Sequence, residues 1–232
     1  LGVLQHRLQH APRELRLIYA TGRTFDSVRG LVRRGVLPPP HAVAAQVGTE
    51  LWRPPWRRAH RGYARQIDRR WDAPLVRGVL RRLPGATLQP AAYQTRFKVS
   101  AFVRPADLAE VLSRLRKQLW PRGARARTIY SGGRYLDVLP VHAGKRAAVR
   151  YLELRQPRAP RVLACGDSGN DLDLLTDPAV AGVVVGNAED GSLAHLGAAH
   201  RVYQAHRPFA TGVLEGTRAF RFWRGSDAAQ AA

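Results

Sequence analysis

The 232-residue chain contains no methionine, one cysteine (Cys165) and only three lysines (Lys98, Lys117, Lys145). A single cysteine allows no internal disulfide, so nothing in the chain calls for an oxidising compartment. No stretch approaches the run of about 18 apolar residues that a membrane span requires, and the N-terminus lacks the profile of a secretory signal. A cytoplasmic protein with no membrane contact is therefore expected, and a monomer. Acidic residues are also scarce: 17 Asp+Glu stand against 38 Lys+Arg, giving a formal charge of +21. A hydrophobic fraction of 45% is nonetheless ordinary for a packed core, which excludes a disordered or low-complexity chain.

What is present in place of lysine is arginine, 35 residues of it. Arginine binds phosphate bidentately and stacks on aromatic rings, so nucleic acid has to be weighed as a partner. The bias runs along the whole chain, however, as GC-rich coding produces. Its excess is uneven. Residues 53–141 hold 20 basic and five acidic residues, and the remainder 18 and 12. That middle segment opens with Arg53-Pro54-Pro55-Trp56-Arg57-Arg58, and Pro-Pro marks a boundary. The pattern predicts a core interrupted by an insert, with residues 1–52 and 142–232 as core and 53–141 as a small α+β cap.

Hydrophobic periodicity fills in the elements. The core reads as strands alternating with helices: a strand at 15–20, a helix with Phe25, Val28, Leu31 and Val32 on one face, and a strand at 42–47. After the insert come a helix at 144–154, a strand at 161–165, a helix through Leu175, a strand at 180–185 and a helix at 209–222, with a frayed tail from Gly225. Continuously apolar strands between helices imply an α/β fold around a Rossmann-like parallel sheet covered on both faces. In the insert, Leu108, Val111, Leu112, Leu115 and Leu119 form a helical stripe after Pro105. Strands are expected at 97–103, 127–130 and 135–139, the last two joined by a hairpin, and two helical pieces between Arg57 and Leu83 that part near Pro74.

The chemistry concentrates in Gly166-Asp167-Ser168-Gly169-Asn170-Asp171, directly after an apolar strand. Carboxyl ends of parallel strands open onto the ligand crevice, so Asp167 should project into it. Asp171 lies four residues on and would turn to the same side of a helix starting there. Two carboxylates and the Asn170 amide are hard oxygen donors suited to Mg2+. A plain helix N-cap uses similar residues, but six of them in this position favour a site. Thr21-Gly22-Arg23 also ends a strand and opens a helix, where a hydroxyl and unpaired amides can hold a phosphoryl oxygen, although a threonine there can equally be a cap. Lys145 places an ammonium in the first turn of a helix, against the dipole's preference, which argues for a functional reason. Cys165 reads as a small buried residue rather than a reactive thiol. No zinc site is read from the histidines, and His60, His195 and His200 read as surface or loop residues. Trp56, Tyr63 and Trp71 are expected to pack the cap rather than stack bases.

Thr21-Gly22-Arg23, Lys145 and the Gly166–Asp171 run, in that order, resemble the second, third and fourth motifs of the haloacid dehalogenase (HAD) superfamily of phosphohydrolases. An insert between the second and third motifs is similar to its lidded sugar-phosphatase branch. Tyr19-Ala20-Thr21-Gly22-Arg23, Val47-Gly48-Thr49, Leu136-Asp137-Val138-Leu139-Pro140 and Thr211-Gly212-Val213-Leu214-Glu215-Gly216 further resemble the sucrose-phosphate phosphatases. The resemblance implies Mg2+-dependent hydrolysis of a sugar phosphate, sucrose 6-phosphate first, through an aspartyl-phosphate. Asp167, Asp171 and Asn170 would hold the metal, Lys145 and Thr21 would act catalytically, and Thr21, Gly22 and Lys145 would bind the phosphate.

One departure stands out. The superfamily's first motif, Asp-x-Asp-x-Thr, is absent: Glu14 is the only acid before Thr21, and the sole Asp-x-Asp is Asp171-Leu172-Asp173. No nucleophile can be named. Leu1-Gly2 would fall just past that motif, which fits the missing methionine, and these residues alone are expected to be inactive. Two alternatives follow, a truncated or pseudo-phosphatase that binds a phosphorylated ligand without turnover, and a nucleic-acid-binding protein using the basic cap.

Overall fold

The computed structural model describes residues 2–10, 15–188, 193–197 and 201–223. It is an α/β protein whose chain gathers into two compact units. One comprises residues 1–17, 29–40 and 156–232, and the other residues 18–28 and 41–155. These cuts differ from the expected division at 53 and 142. The expected tail from Gly225 and the residue His200 lie outside the described residues.

In the second unit, β1 (Ile18–Ala20) pairs in parallel with β2 (Ala42–Ala45), and β2 pairs antiparallel with β3 (Glu50–Trp52). All four residues of β2 are buried, as expected of a strand covered on both faces. The helix α6 (Lys145–Glu153) packs on β1 and β2, burying Ala148, Val149, Tyr151 and Leu152. Between β3 and α6 the chain builds an antiparallel sheet, ordered β4 (Ala86–Leu88), β5 (Val99–Val103), β7 (Tyr135–Pro140) and β6 (Ala126–Ser131). Two helices cover one face of it, α4 (Ala73–Arg82) and α5 (Pro105–Leu119). The predicted stripe of α5 buries Val111, Leu115 and Leu119 against Val99, Ala101, Leu136 and Val138. Each such side chain taken fully from water stabilises the unit by about 1.5–3 kcal/mol. The remaining helix, α3 (Arg61–Ile67), precedes α4. The break between them falls at residues 68–72, just before Pro74, near where it was expected. Asp72 caps α4 by accepting from Leu75 N at 2.8 Å, and Pro74 sits in the first turn, where its missing N–H costs nothing.

In the first unit, β8 (Val162–Gly166), β9 (Val180–Val184) and β10 (Val202–Gln204) form a parallel sheet ordered 8-9-10. The helix α7 (Leu172–Leu175) packs on β8 and β9, and α8 (Phe209–Ala219) on β9 and β10. The N-terminal helix α1 (Gly2–Gln9) buries none of its residues. Joining the units through the chain is α2 (Phe25–Arg33), whose predicted apolar face buries Phe25 and Val28. The expected parallel sheet therefore takes the form of two three-stranded sheets, one with an antiparallel edge. Periodicity reads the strand type from each segment alone, whereas pairing direction depends on partners distant in sequence.

Candidate active site

The loop after β8 is built around a glycine. A Cβ at Gly166 would overlap the Asp171 carboxylate, so only glycine lets the Asp171 side chain fold back beneath the strand end. Asp171 is 5% exposed, and its Oδ2 accepts from Asp167 N at 3.3 Å and Ser168 N at 3.4 Å. Ser168 and Asp171 together form a capping box for the turn at Gly169–Asp171. This corrects the expectation of two carboxylates on one helical face. The helix α7 starts only at Leu172, and Asp171 uses one oxygen to pin the loop that presents the exposed Asp167. The capping role thus falls to Ser168 and Asp171, while the exposed Asp167 and the half-buried Asn170 stand at the carboxyl end of β8.

Beside them Cys165 is partly buried, and burial, helped by the Asp171 charge, pushes its thiol up to about 12. The thiol stays protonated, as the sequence reading of an inert cysteine requires, and no thiolate competes with the oxygens. That donor chemistry fits a hard divalent cation such as Mg2+. Among the described residues there is no group of three His, Cys, Asp or Glu side chains that could hold a metal.

The other predicted residues lie in the second unit. Thr21 follows β1, anchored by Thr21 N to Ala44 O at 2.9 Å and by Val47 N to Thr21 O at 2.9 Å. Its hydroxyl accepts from Arg23 N at 3.2 Å, which leaves the O–H to donate elsewhere. The cap of α2 is Thr24, whose Oγ1 accepts from Ser27 N at 3.1 Å. Thr21 is thus not needed as a helix cap, which removes the competing explanation for it. Lys145 is 3% exposed as the first residue of α6, with Gly144 before it at φ 127° and no side-chain cap. Gly48, at φ +76°, packs its backbone against the Gly144 carbonyl and the Lys145 amide, where any Cβ would overlap them. The Thr21 loop, the Gly48 turn and the start of α6 therefore form one backbone cradle around Lys145.

Sequence reading missed what holds this cradle. Tyr63, 1% exposed in α3, donates its hydroxyl to Gly48 O at 2.6 Å. His60, expected as a surface or loop residue, lies in the loop before α3 and caps that helix, its Nδ1 accepting from Tyr63 N at 3.3 Å and lying 3.4 Å from Tyr151 Oη. Burial, then the Arg53 and Arg155 charges, lowers the His60 pKa, keeping the ring neutral as an acceptor must be. Nothing in the local pattern marks these contacts, since the partners lie far apart in the chain. His195 is exposed, as expected. Trp71 donates to Arg96 O at 2.8 Å, within the segment expected as the cap, whereas Trp56 stacks on Phe25 at 5.7 Å, outside that segment. Lys98 was given no role, and the structure buries it beside Asp137, with Nζ 3.8 Å from Oδ1.

Comparison with known proteins gives the arrangement its family. The sucrose-6F-phosphate phosphohydrolase profile matches residues 1–221. Sucrose-phosphatase 1 of Nicotiana tabacum is 32% identical over 207 residues, covering 86% of this chain and 49% of that protein. The chain thus spans about half the length of its plant relatives. The mannosylfructose-phosphate phosphatase of Agrobacterium fabrum is 34% identical, with 89% of this chain and 84% of that protein covered. Among solved structures, the sucrose-phosphatase of Synechocystis sp. PCC6803 in complex with sucrose and phosphate superposes with a TM-score of 0.82 at 27% identity, over 95% of this chain and 90% of the other. A HAD subclass IIB sugar phosphatase shares the fold at a TM-score of 0.65 and 14% identity. The chain therefore belongs to the sucrose-6F-phosphate phosphohydrolase family of the HAD superfamily.

Proposed function

We propose that the chain carries the phosphate-binding and metal-binding parts of a Mg2+-dependent sugar-phosphate phosphatase, with sucrose 6-phosphate as the leading substrate. The observation that carries this is Lys145, a nearly buried lysine at the start of α6 whose backbone amide is packed by the Gly48 turn. An ammonium fixed there neutralises a phosphoryl oxygen and draws charge from it as the bond to the leaving group lengthens. The Thr21 hydroxyl donates to a second phosphoryl oxygen. Asp167, with Asn170 and Asp171, would hold Mg2+, which when bound supplies positive charge for a phosphoryl group. The segment 53–141 serves as the cap, its basic excess drawing a dianionic ester toward the site. The disaccharide phosphates named for the tobacco and Agrobacterium relatives set the substrate panel.

The attacking carboxylate has no counterpart before Thr21. Residues 1–232 alone should therefore release essentially no phosphate from sucrose 6-phosphate with Mg2+ present, because loss of a covalent nucleophile costs several orders of magnitude. Supplying a preceding strand that ends in Asp-x-Asp-x-Thr should give Mg2+-dependent release. In that extended protein Asp167→Ala should abolish turnover, and Lys145→Ala should lower kcat more than it raises KM. Ordinary turnover by the unextended chain, or none by the extended one across sucrose 6-phosphate and mannosylfructose phosphate, would overturn the proposal.

A further inference from the structure

Gln46, Val47 and Gly48 stand in succession at φ 51°, 58° and 76°, all in the left-handed region. Glycine takes that conformation freely, but a β-branched valine does so only where its surroundings force it. The strained turn leads from β2 into β3 and touches both arms of the phosphate cradle. On one side Gln46 N donates to Arg23 O and Val47 N to Thr21 O, each at 2.9 Å. On the other, a Cβ on Gly48 would stand 2.3 Å from the Gly144 carbonyl and 2.6 Å from Lys145 N. The turn is thus the spacer between the Thr21 loop and the start of α6. Any slip of its backbone moves one arm of the cradle against the other.

A spacer under strain keeps its place only if its surroundings over-determine it. The bonds from Thr49 N to Ala45 O at 3.1 Å and from Thr49 Oγ1 to Gln46 O at 2.9 Å shape the turn but travel with it. The Tyr63 hydroxyl, 15 residues on in α3, instead reaches across to Gly48 O at 2.6 Å. Its ring sits edge-on against Tyr151 of α6 at 5.2 Å between centroids. The hydroxyl is therefore placed relative to the same helix that Lys145 opens. At 1% exposure Tyr63 is too deep to touch a ligand itself.

We infer that Tyr63 is a positioning residue for phosphate binding, its hydroxyl holding the Gln46–Gly48 turn at the spacing that lets Thr21 and Lys145 grip one phosphoryl group. This rests on the reading of Thr21 and Lys145 as the phosphate-binding end. The test is calorimetric titration of the 232-residue chain with inorganic phosphate, Mg2+ present, alongside thermal unfolding. Tyr63→Phe keeps the ring and should weaken phosphate binding about fivefold, the usual worth of one hydrogen bond. Val111→Ala takes packing from the separate cluster under α5, which holds no cradle residue. It should lower the thermal midpoint at least as far, yet leave phosphate affinity within about twofold. In amide NMR spectra Tyr63→Phe should shift the Gly48 and Lys145 resonances, which Val111→Ala leaves in place. His60→Ala loosens the turn of α3 that carries Tyr63; it should weaken phosphate in the same selective way, and serves if Tyr63→Phe fails to fold. Equal weakening by Tyr63→Phe and Val111→Ala, or a Tyr63→Phe chain that binds as the wild type does, overturns the inference. Lys145→Met tests the reading beneath it. If that variant binds phosphate like the wild type, or the wild-type chain binds none, the phosphate cradle is refuted and the inference with it.

Discussion

At the scale of single residues, what decides the site is where a side chain is missing. Gly166 leaves room for Asp171, whose carboxylate in turn accepts from the backbone that carries Asp167. Gly166→Ala should destabilise the first unit by about 1–3 kcal/mol, the usual cost of overpacking, and lower Mg2+ affinity in parallel. Denaturant unfolding with and without Mg2+ reads both. Glu215 on α8 acts through the side chain it has. It accepts from Tyr203 Oη at 2.8 Å, His206 N at 3.1 Å and Arg207 N at 3.0 Å, and lies 2.9 Å from His206 Nδ1. Chiefly the His206 side chain, then these backbone amides and Tyr203, lower its carboxyl from the ordinary 4.5 to about 2. Because the unfolded chain takes up this proton first, the stabilisation is complete above 4.5 and is lost as pH falls toward 2. Glu215→Gln should flatten that part of the acid-unfolding profile, and an unchanged slope would refute the assignment.

At the scale of elements, a cap and a hydroxyl in one short helix support the turn that packs on the start of α6. His60→Ala should cost about 1 kcal/mol, as losses of helix caps do. In the wild type this contribution should be whole above 6.5, the ordinary histidine value, and decline below it, since protonating Nδ1 removes the acceptor. His60→Asn restores a cap without titrating, so thermal unfolding of the three proteins between about pH 5 and 8 separates capping from charge. The same helix shows what sequence could reveal. Segments long enough to repeat their pattern were legible: the stripe from Leu108 to Leu119 became α5, and the run closing on Cys165 became β8. The three-residue strands Glu50–Trp52, Ala86–Leu88 and Val202–Gln204 were not, because they exist only through their partners. In the site, Thr21, Lys145 and the Gly166–Asp171 run were visible as local motifs. Tyr63 to Gly48 and Lys98 to Asp137 were invisible, since each joins isolated residues across 15 or more positions.

At the scale of the molecule, the charge of +21 invites a nucleic-acid reading that the aromatic rings do not favour. Arg125 lies over Trp120 at 3.5 Å, Arg155 over Tyr151 at 3.3 Å, and Arg134 over Phe102 and Tyr135, so arginines already cover faces on which bases would stack. Binding to random duplex DNA should be weak and vanish near about 0.2 M salt, as purely electrostatic contacts do. Sequence-selective binding that survives in a mobility-shift assay at that salt would contradict the phosphatase assignment. The scarcity of lysine has a practical consequence. Lys98 and Lys145 are buried, and Lys117 stands exposed on α5. An amine-directed dye or surface linker should find one side-chain handle on the folded protein and three on the unfolded one. Labelling stoichiometry by mass spectrometry would then count unfolded molecules directly, and immobilisation through side-chain amines would hold every molecule by the same helix.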